Sequence, residues 1–229
     1  MIVAVIPAYN EEKTITWVVE ETKKYVDKII VIDDCSKDDT YKLARKAGAI
    51  VIRHPVNRGL GVSLRDGFRK ALRMKADIVI TLDGDGQHNP HEIPKFLSSI
   101  KGCDFVLGER DLSKYPFIKK FGNFFLNFAT NFISGTELKD TESGFRAIRG
   151  SALKKFYLKS ERYAIAAEIV FEVGRNKLAT ANVPIEIPIY VKGVGVSDGI
   201  KNFMFLMHRR ERNLKSYIHD IKYVLRKWL

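Results

Sequence analysis

Ile78-Val79-Ile80-Thr81-Leu82-Asp83-Gly84-Asp85-Gly86-Gln87-His88 is the stretch whose reading decides the fold. A run of β-branched and aliphatic residues that stops abruptly at carboxylates reads as a buried parallel strand delivering acids to its carboxyl end. In open α/β sheets ligands bind at that edge. Gly84 and Gly86 permit a turn in which Asp83 and Asp85 both face one site. Asp85 and the amide oxygen of Gln87 are hard donors of the kind that Mg2+ or Mn2+ takes, usually alongside substrate phosphates. A plain strand-to-helix turn, with an acid capping a helix that starts near Pro90, accounts for Asp-Gly-Asp taken alone. Whether other strands end the same way separates the two readings.

Outward from that stretch, strand and helix patterns alternate as in a doubly wound sheet. Ile2 to Ile6 reads as a first strand, followed by Pro7-Ala8-Tyr9-Asn10-Glu11-Glu12 and a helix to about Tyr25. Lys28 to Ile32 is a second strand ending at Asp33-Asp34. Ser36 and Asp38 are candidate caps for the next helix, which Gly48 closes. Ile50 to Arg53 is a short third strand, Asn57-Arg58-Gly59-Leu60-Gly61 introduces a helix to about Met74, and Asp77 to Leu82 is the fourth strand. A helix from about Pro90 to Ile100 and a strand at Phe105-Val106-Leu107 follow. Three strands thus send Tyr9 to Glu11, Asp33-Asp34 and Asp83 to Gln87 to one edge, which favours a ligand site.

Composition narrows the partner. Lys and Arg total 39 against 27 acids in 229 residues, a formal net charge of +12. Such a surplus favours an anionic partner: nucleic acid, an anionic membrane surface or a phosphorylated substrate. Acids clustered at strand ends would repel a nucleic-acid backbone, so no nucleic acid is expected. The two cysteines, Cys35 and Cys103, suggest neither a disulfide framework nor a zinc site, and a reducing compartment is expected. No apolar run approaches the ~20 residues of a spanning helix, nor does the start resemble a secretory signal. Cytoplasmic placement with peripheral contact to the inner membrane face is the expectation. The chain has no G-x-x-x-x-G-K-[ST], and Gly59-x-Gly61 lacks the third glycine of a dinucleotide fingerprint, which argues against P-loop and nicotinamide chemistry.

Pro7-Ala8-Tyr9-Asn10-Glu11-Glu12, Val31 through Thr40, Asn57-Arg58-Gly59-x-Gly61, Asp83 through His88, Gly108-Glu109-Arg110 and Asp140-Thr141-Glu142-Ser143-Gly144-Phe145-Arg146 run in one familiar order. In them the chain resembles family 2 glycosyltransferases of the GT-A fold, specifically the polyprenyl (dolichyl) phosphate sugar synthases. The resemblance covers about three quarters of the chain, with Cys35 standing where that family usually has Gly. It implies an α/β fold with a mixed, mostly parallel sheet flanked by helices, and C-terminal amphipathic helices. The implied catalytic domain spans 1–199, its nucleotide-sugar half 1–110 and its acceptor half 111–199, with a basic tail at 200–229. Pro7, Tyr9, Glu11, Ile32, Asp34, Asp83, Gly84, Asp85 and Lys192 would bind the nucleotide-sugar donor, with GDP-mannose favoured and UDP-glucose or UDP-GlcNAc as alternatives. Asp85 and Gln87 would hold Mg2+ or Mn2+. Asp83, Asp85, Arg110, Lys120 and Arg146 would be catalytic, the three basic residues receiving the phosphate of a polyprenyl acceptor. Lys120 replaces an Arg there, keeping the charge without the bidentate fork. Lys192 and Asp198 replace an Arg and a Lys of a loop that closes over the diphosphate.

From Ser113 to Ile133, Phe117, Ile118, Phe121, Phe124, Phe125, Phe128 and Phe132 recur at helical spacing, with Asn123, Asn127 and Asn131 on the other side. Such a stripe is ordinarily core, yet its phenylalanines and preceding lysines also match a helix lying in a lipid interface. Tyr163 to Asn176 reads as a helix supporting the sheet. The prolines in Val183 to Val191 restrict that segment to an edge. Beyond residue 200 a basic amphipathic pattern ending in Trp228 suits an anionic membrane or a protein partner. Two further functional readings stay open. One is transfer to a glycan hydroxyl, with Glu142 or Asp140 as base; the other is a non-catalytic membrane-associated scaffold.

Overall fold

The computed structural model describes residues 1–111 and 117–186, with side chains except at 117–119 and 121. Its strands are β1 (Ile2–Ala8), β2 (Lys28–Asp33), β3 (Ile50–Arg53), β4 (Ile78–Thr81), β5 (Phe105–Arg110), β6 (Arg146–Arg149) and β7 (Thr180–Ile185). They form one sheet in the order β3-β2-β1-β4-β6-β5-β7. β1 runs parallel to β2 and β4, β2 to β3, and β5 to β7, while β6 is antiparallel to both its neighbours. The helices are α1 (Ile15–Thr22), α2 (Thr40–Lys46), α3 (Leu60–Arg73), α4 (Ile93–Ser99), α5 (Phe117–Ser134), the single turn α6 (Gly150–Leu153) and α7 (Ile165–Arg175). A mixed, mostly parallel α/β sheet flanked by helices is therefore what the chain builds.

The near-continuous apolar strands are buried on both faces, and alternate residues feed two cores. Ala4, Ile6, Val31 and Ile80 pack with Ile15, Val18 and Val19 of α1 and Ile93 and Phe96 of α4. Val3, Val5, Ile30, Ile32 and Val79 pack with Leu64 and Phe68 of α3 and Ile165 and Ile169 of α7. Each fully buried aliphatic side chain of this kind contributes roughly 1.5–3 kcal/mol of transfer free energy. The two layers hold the carboxyl ends of β1, β2 and β4 in register, so the loops that follow them share one rim.

One strand escaped the sequence pattern. Arg146-Ala147-Ile148-Arg149 is short and carries a charge at each end, so no apolar run announces it. Ala147 nonetheless enters one core and Ile148 the other. Because β6 is antiparallel, it begins where its neighbours end: Arg146 pairs with Thr81 of β4 and Leu107 of β5. The reversal carries the 140–145 turn to the rim that receives the acids of β4. β7 takes the expected edge position, but it starts at Thr180 rather than Val183. Residues 187–191, the Lys192 to Asp198 loop and the basic tail lie outside the described residues.

Candidate active site

Around the carboxyl ends of β1, β2 and β4, short polar side chains lock three loops together. Ser36 Oγ accepts from Asn10 N at 2.9 Å, and Thr40 Oγ1 accepts from Glu11 N at 2.8 Å. Thr14 Oγ1 donates to Gly84 O at 2.7 Å, and Gly84 N reaches Pro7 O at 3.3 Å. The N-cap of α2 is Asp39 rather than Ser36 or Asp38; Asp38 accepts from Thr40 N at 3.0 Å and from Glu12 N at 3.1 Å. The loop after β1 is thereby fastened to the loops after β2 and β4, and Tyr9 is left 43% exposed at the rim. Cys35 sits at φ 65°, the left-handed region, which gives the glycine usual at that position a steric reason.

Asp34 is almost wholly buried and its carboxylate is engaged by the protein. Oδ1 accepts from Arg58 N at 2.8 Å and lies 2.7 Å from His54 Nδ1, while Oδ2 accepts from Gly59 N at 2.7 Å. Asp66 lies 3.3 Å from the other ring nitrogen of His54. The glycine-rich loop at the head of α3 is likewise satisfied internally. Glu161 O accepts from Gly61 N at 2.9 Å, so a protein carbonyl occupies the helix N-terminus where a phosphate could otherwise sit. A Cβ on Gly61 would lie 2.2 Å from Ser160 O, and one on Gly59 would lie 2.5 Å from Glu161 O. These glycines serve the close approach of two backbones. The 158–161 segment is in turn fixed by Glu168 of α7, whose buried carboxylate accepts from Lys159 N at 2.8 Å and Ser160 N at 2.9 Å.

The loop after β4 gathers the acids. Asp85 accepts from Gln87 N at 3.0 Å and from Gln87 Nε2 at 2.5 Å, so the two side chains meet in one tight turn. Glu11 lies close enough that its carboxyl is pushed up to about 7, first by burial and then by the charges of Asp85, Asp83 and Asp38. Carboxylates held together against their own repulsion, with an amide beside them, form a donor set suited to a hard divalent cation. Among the described residues no group of three or more His, Cys, Asp or Glu side chains is arranged to hold a metal ion. Asp85 and Gln87 would supply only part of a cation's shell. His88 closes the loop from beneath: its Nδ1 accepts from Asp83 N at 3.1 Å, and burial holds its pKa below the usual imidazole value. Its ring lies 5.3 Å from that of Phe145, which stacks on Phe96 at 4.2 Å.

Across the rim stands the 140–146 turn. Arg110 makes a two-pronged pair with Asp140, Nε to Oδ2 at 2.5 Å and NH2 to Oδ1 at 2.8 Å, and Asp140 is buried. Arg146 is buried too, and its Nε has no hydrogen-bond partner. Burial drives its pKa down to about 10, while Asp83, Glu142 and Asp140 pull it up. Thr81 Oγ1 donates to Gly144 O at 2.7 Å, and a Cβ on Gly144 would lie 2.8 Å from Asp83 Oδ2. The asparagine face of α5 steadies this region: Asn127 Oδ1 accepts from Thr141 N at 2.9 Å, and Asn131 Oδ1 accepts from Leu138 N at 3.0 Å. Its phenylalanine face is open, with Phe124, Phe125 and Phe128 exposed.

Of the expected site residues, Pro7, Tyr9, Glu11, Asp83, Gly84, Asp85 and Gln87 converge on one stretch of rim, and Arg110 and Arg146 stand across from them. Ile32 is wholly within the core beneath α3, and Asp34 acts inside the protein. Lys120 is exposed on α5, and Lys192 lies outside the described residues. Sequence reasoning gave no role to His54, Thr14, Thr40, His88 or Glu168. His54 follows β3 directly and could have been found by the strand-end rule that found Asp34.

A mostly parallel sheet with carboxylates at its rim, and an antiparallel strand returning basic groups to them, defines a nucleotide-sugar transferase type of fold. The Glycosyl transferase family 2 profile matches residues 3–157, and the chain belongs to that family. It is 35% identical over 239 residues to the UDP-N-acetylglucosamine--dolichyl-phosphate N-acetylglucosaminyltransferase of Methanococcus voltae, covering 90% of this chain and 95% of that protein. It is 29% identical to the dolichol-phosphate mannosyltransferase of Pyrococcus furiosus, covering 89% of this chain and 61% of that one. Glucosyl-3-phosphoglycerate synthase from Mycobacterium tuberculosis, solved with Mn2+, UDP and glucosyl-3-phosphoglycerate, superposes with a TM-score of 0.69 at 21% identity, over 90% of this chain and 77% of that one. That likeness shows the fold.

Proposed function

We propose that the protein transfers a hexosyl group, with inversion, from a nucleoside-diphosphate sugar to a polyprenyl phosphate at a membrane surface. The observation that carries this reading is the buried cation Arg146, whose charge is felt by Asp83, with Gly144 packed so closely that a Cβ there would lie 2.8 Å from Asp83 Oδ2. Such a site suits two anions brought together. The names of the Methanococcus and Pyrococcus relatives support a lipid phosphate acceptor. They divide on the sugar: similarity weighs toward UDP-N-acetylglucosamine, against the GDP-mannose that the family resemblance favoured.

A phosphate monoester is largely doubly ionised near neutral pH, with a second pKa around 6, and so serves as its own nucleophile. One of its oxygens bonds to the anomeric carbon while the bond from that carbon to the donor diphosphate breaks. The nucleoside diphosphate leaves with the electron pair, and no proton moves. The protein's work is positional and electrostatic. Asp85 and Gln87 would hold Mg2+ or Mn2+, which when bound neutralises charge on the leaving diphosphate. Glu11 and Tyr9 line the donor side, and Arg146 and the exposed Lys120 attract the acceptor. Arg110 acts with its partner Asp140, as a paired group. Exposed Phe124, Phe125 and Phe128 suit contact with the acceptor's membrane, where aromatic side chains settle at the headgroup level. Among the described residues no helix is long and apolar enough to cross a membrane.

A second reading, transfer to a glycan hydroxyl with Glu142 as base, draws on the unpartnered carboxyl of that residue. A screen of UDP-GlcNAc, GDP-mannose and UDP-glucose against short polyprenyl phosphates and soluble sugars, with Mn2+ or Mg2+, separates the two. Transfer to the lipid phosphate with one donor is expected, and turnover of soluble sugars alone would reject it.

A further inference from the structure

Nine buried side-chain polar atoms lack a hydrogen-bond partner among the described residues, and five of them belong to the 141–146 turn. They are Thr141 Oγ1, both carboxyl oxygens of Glu142, Ser143 Oγ and Arg146 Nε. Buried polar groups are ordinarily satisfied, so a concentration of this kind marks a place prepared for a polar ligand. Arg146 accounts for an anion. It does not account for Glu142, whose negative charge would repel one.

The groups facing Glu142 are Arg146 from β6, Arg110 from β5 and Asp140 in its own turn. Asp140 already holds Arg110 through both oxygens, which leaves Glu142 without that cation as a hydrogen-bond partner. Burial pushes the Glu142 carboxyl up to about 7 against the pull of Arg146, and Asp140 adds to the push. At neutral pH a large share of the group carries its proton and can donate.

Resting on the lipid-phosphate reading above, we propose that Glu142 determines acceptor specificity: its carboxyl donates a hydrogen bond to an oxygen of a phosphate monoester held by Arg146. The proton stays on Glu142 while a different phosphate oxygen attacks, so the residue acts as a ligand and removes no proton. A hydroxyl acceptor would demand the opposite state of the same group, ionised and accepting. A site built around the proton-bearing form therefore selects phosphate over alcohol.

The test uses the full chain with farnesyl phosphate and farnesol as probes. Binding is measured by calorimetry between pH 6 and 9, with transfer from UDP-GlcNAc and GDP-mannose in the presence of Mn2+ followed on the same samples. Farnesyl phosphate affinity for the wild type should fall about tenfold or more between pH 6.5 and 8.5, as Glu142 loses its proton. Glu142→Gln, whose amide donates at any pH, should show no such loss, and Glu142→Ala should bind weakly throughout. Equal pH dependence in wild type and Glu142→Gln, or normal binding by Glu142→Ala, would overturn the proposal. So would farnesol turnover that rises with pH and vanishes in Glu142→Gln, which identifies a base. Phosphate binding with the expected pH profile but no transfer from any donor would reject the catalytic reading while upholding the role of Glu142.

Discussion

The two sides of the rim solve the problem of buried charge differently. On the β1–β2–β4 side the acids are either satisfied internally, as Asp34 is by two backbone N–H groups, or crowded so that they repel, as Glu11, Asp83 and Asp85 do. On the β5–β6 side one cation is locked into a two-pronged pair while another, Arg146, is buried with an unpartnered nitrogen beside an unpartnered carboxyl. The first side has an excess of negative charge that a cation would relieve. The second has unmet hydrogen-bonding capacity that a ligand with both charge and acceptor oxygens would relieve. Charge alone does not tell the two sides of the rim apart; the manner in which each charge is satisfied does.

The comparison can be broken most forcefully at Asp85. Asp85→Ala should lower kcat by on the order of 10²-fold or more, with an unchanged melting temperature. Near-normal turnover would remove the cation from the account. Arg110→Met should cost about 3 kcal/mol in a denaturant titration, because it leaves Asp140 buried without its partner. Lys120→Met, at an exposed position, should leave stability unchanged and affect acceptor KM alone. If the two variants behave alike, the distinction between a locked cation and an exposed one fails.

Titration sharpens the contrast. Glu142 and Glu11 both have pKa values raised to about 7 from an ordinary 4.5. The folded state therefore holds protons that the unfolded chain has released, and stability falls as pH rises from about 4.5 to 7. Glu142→Gln should remove that loss and gain on the order of 2 kcal/mol at pH 8, with or without Mn2+ and nucleotide. Glu11→Gln should gain less, since Glu11 is half exposed to water, and the gain should disappear when Mn2+ and UDP are added. Denaturant titrations at pH 5 and pH 8 provide the check.

Gly61→Ala should cost about 2 kcal/mol in a denaturant titration, since its methyl group meets the Ser160 carbonyl. The smallest effect is expected at Cys35. Cys35→Gly relieves a left-handed residue but loosens the unfolded chain, and it should stabilise by less than about 1 kcal/mol in thermal melts.

The β1–β2–β4 side was largely legible because its signals are local. Apolar runs ending in acids named β1, β2 and β4 together with Glu11, Asp83, Asp85 and Gln87 in one step. The β5–β6 side was less so. β6 has no apolar run, and its place between β4 and β5 depends on long-range pairing that local periodicity does not encode. The pairing of Arg110 with Asp140, thirty residues apart in sequence, is a long-range contact of the same kind. Gly59-x-Gly61 is no dinucleotide fingerprint, yet its task is not legible in sequence, because a phosphate and a peptide carbonyl ask the same thing of a backbone: space and N–H groups. Which of the two is present is decided by residues a hundred positions away.

The carbonyl of Glu161 seated on the head of α3 has a practical consequence for engineering. A chimera that joins the first hundred or so residues to the rear portion of a homologue would separate surfaces shaped for one another. Exchanging sugar preference between such enzymes would then require carrying over the 158–161 strip and its anchor Glu168 with the donor portion, however far apart they lie in the gene.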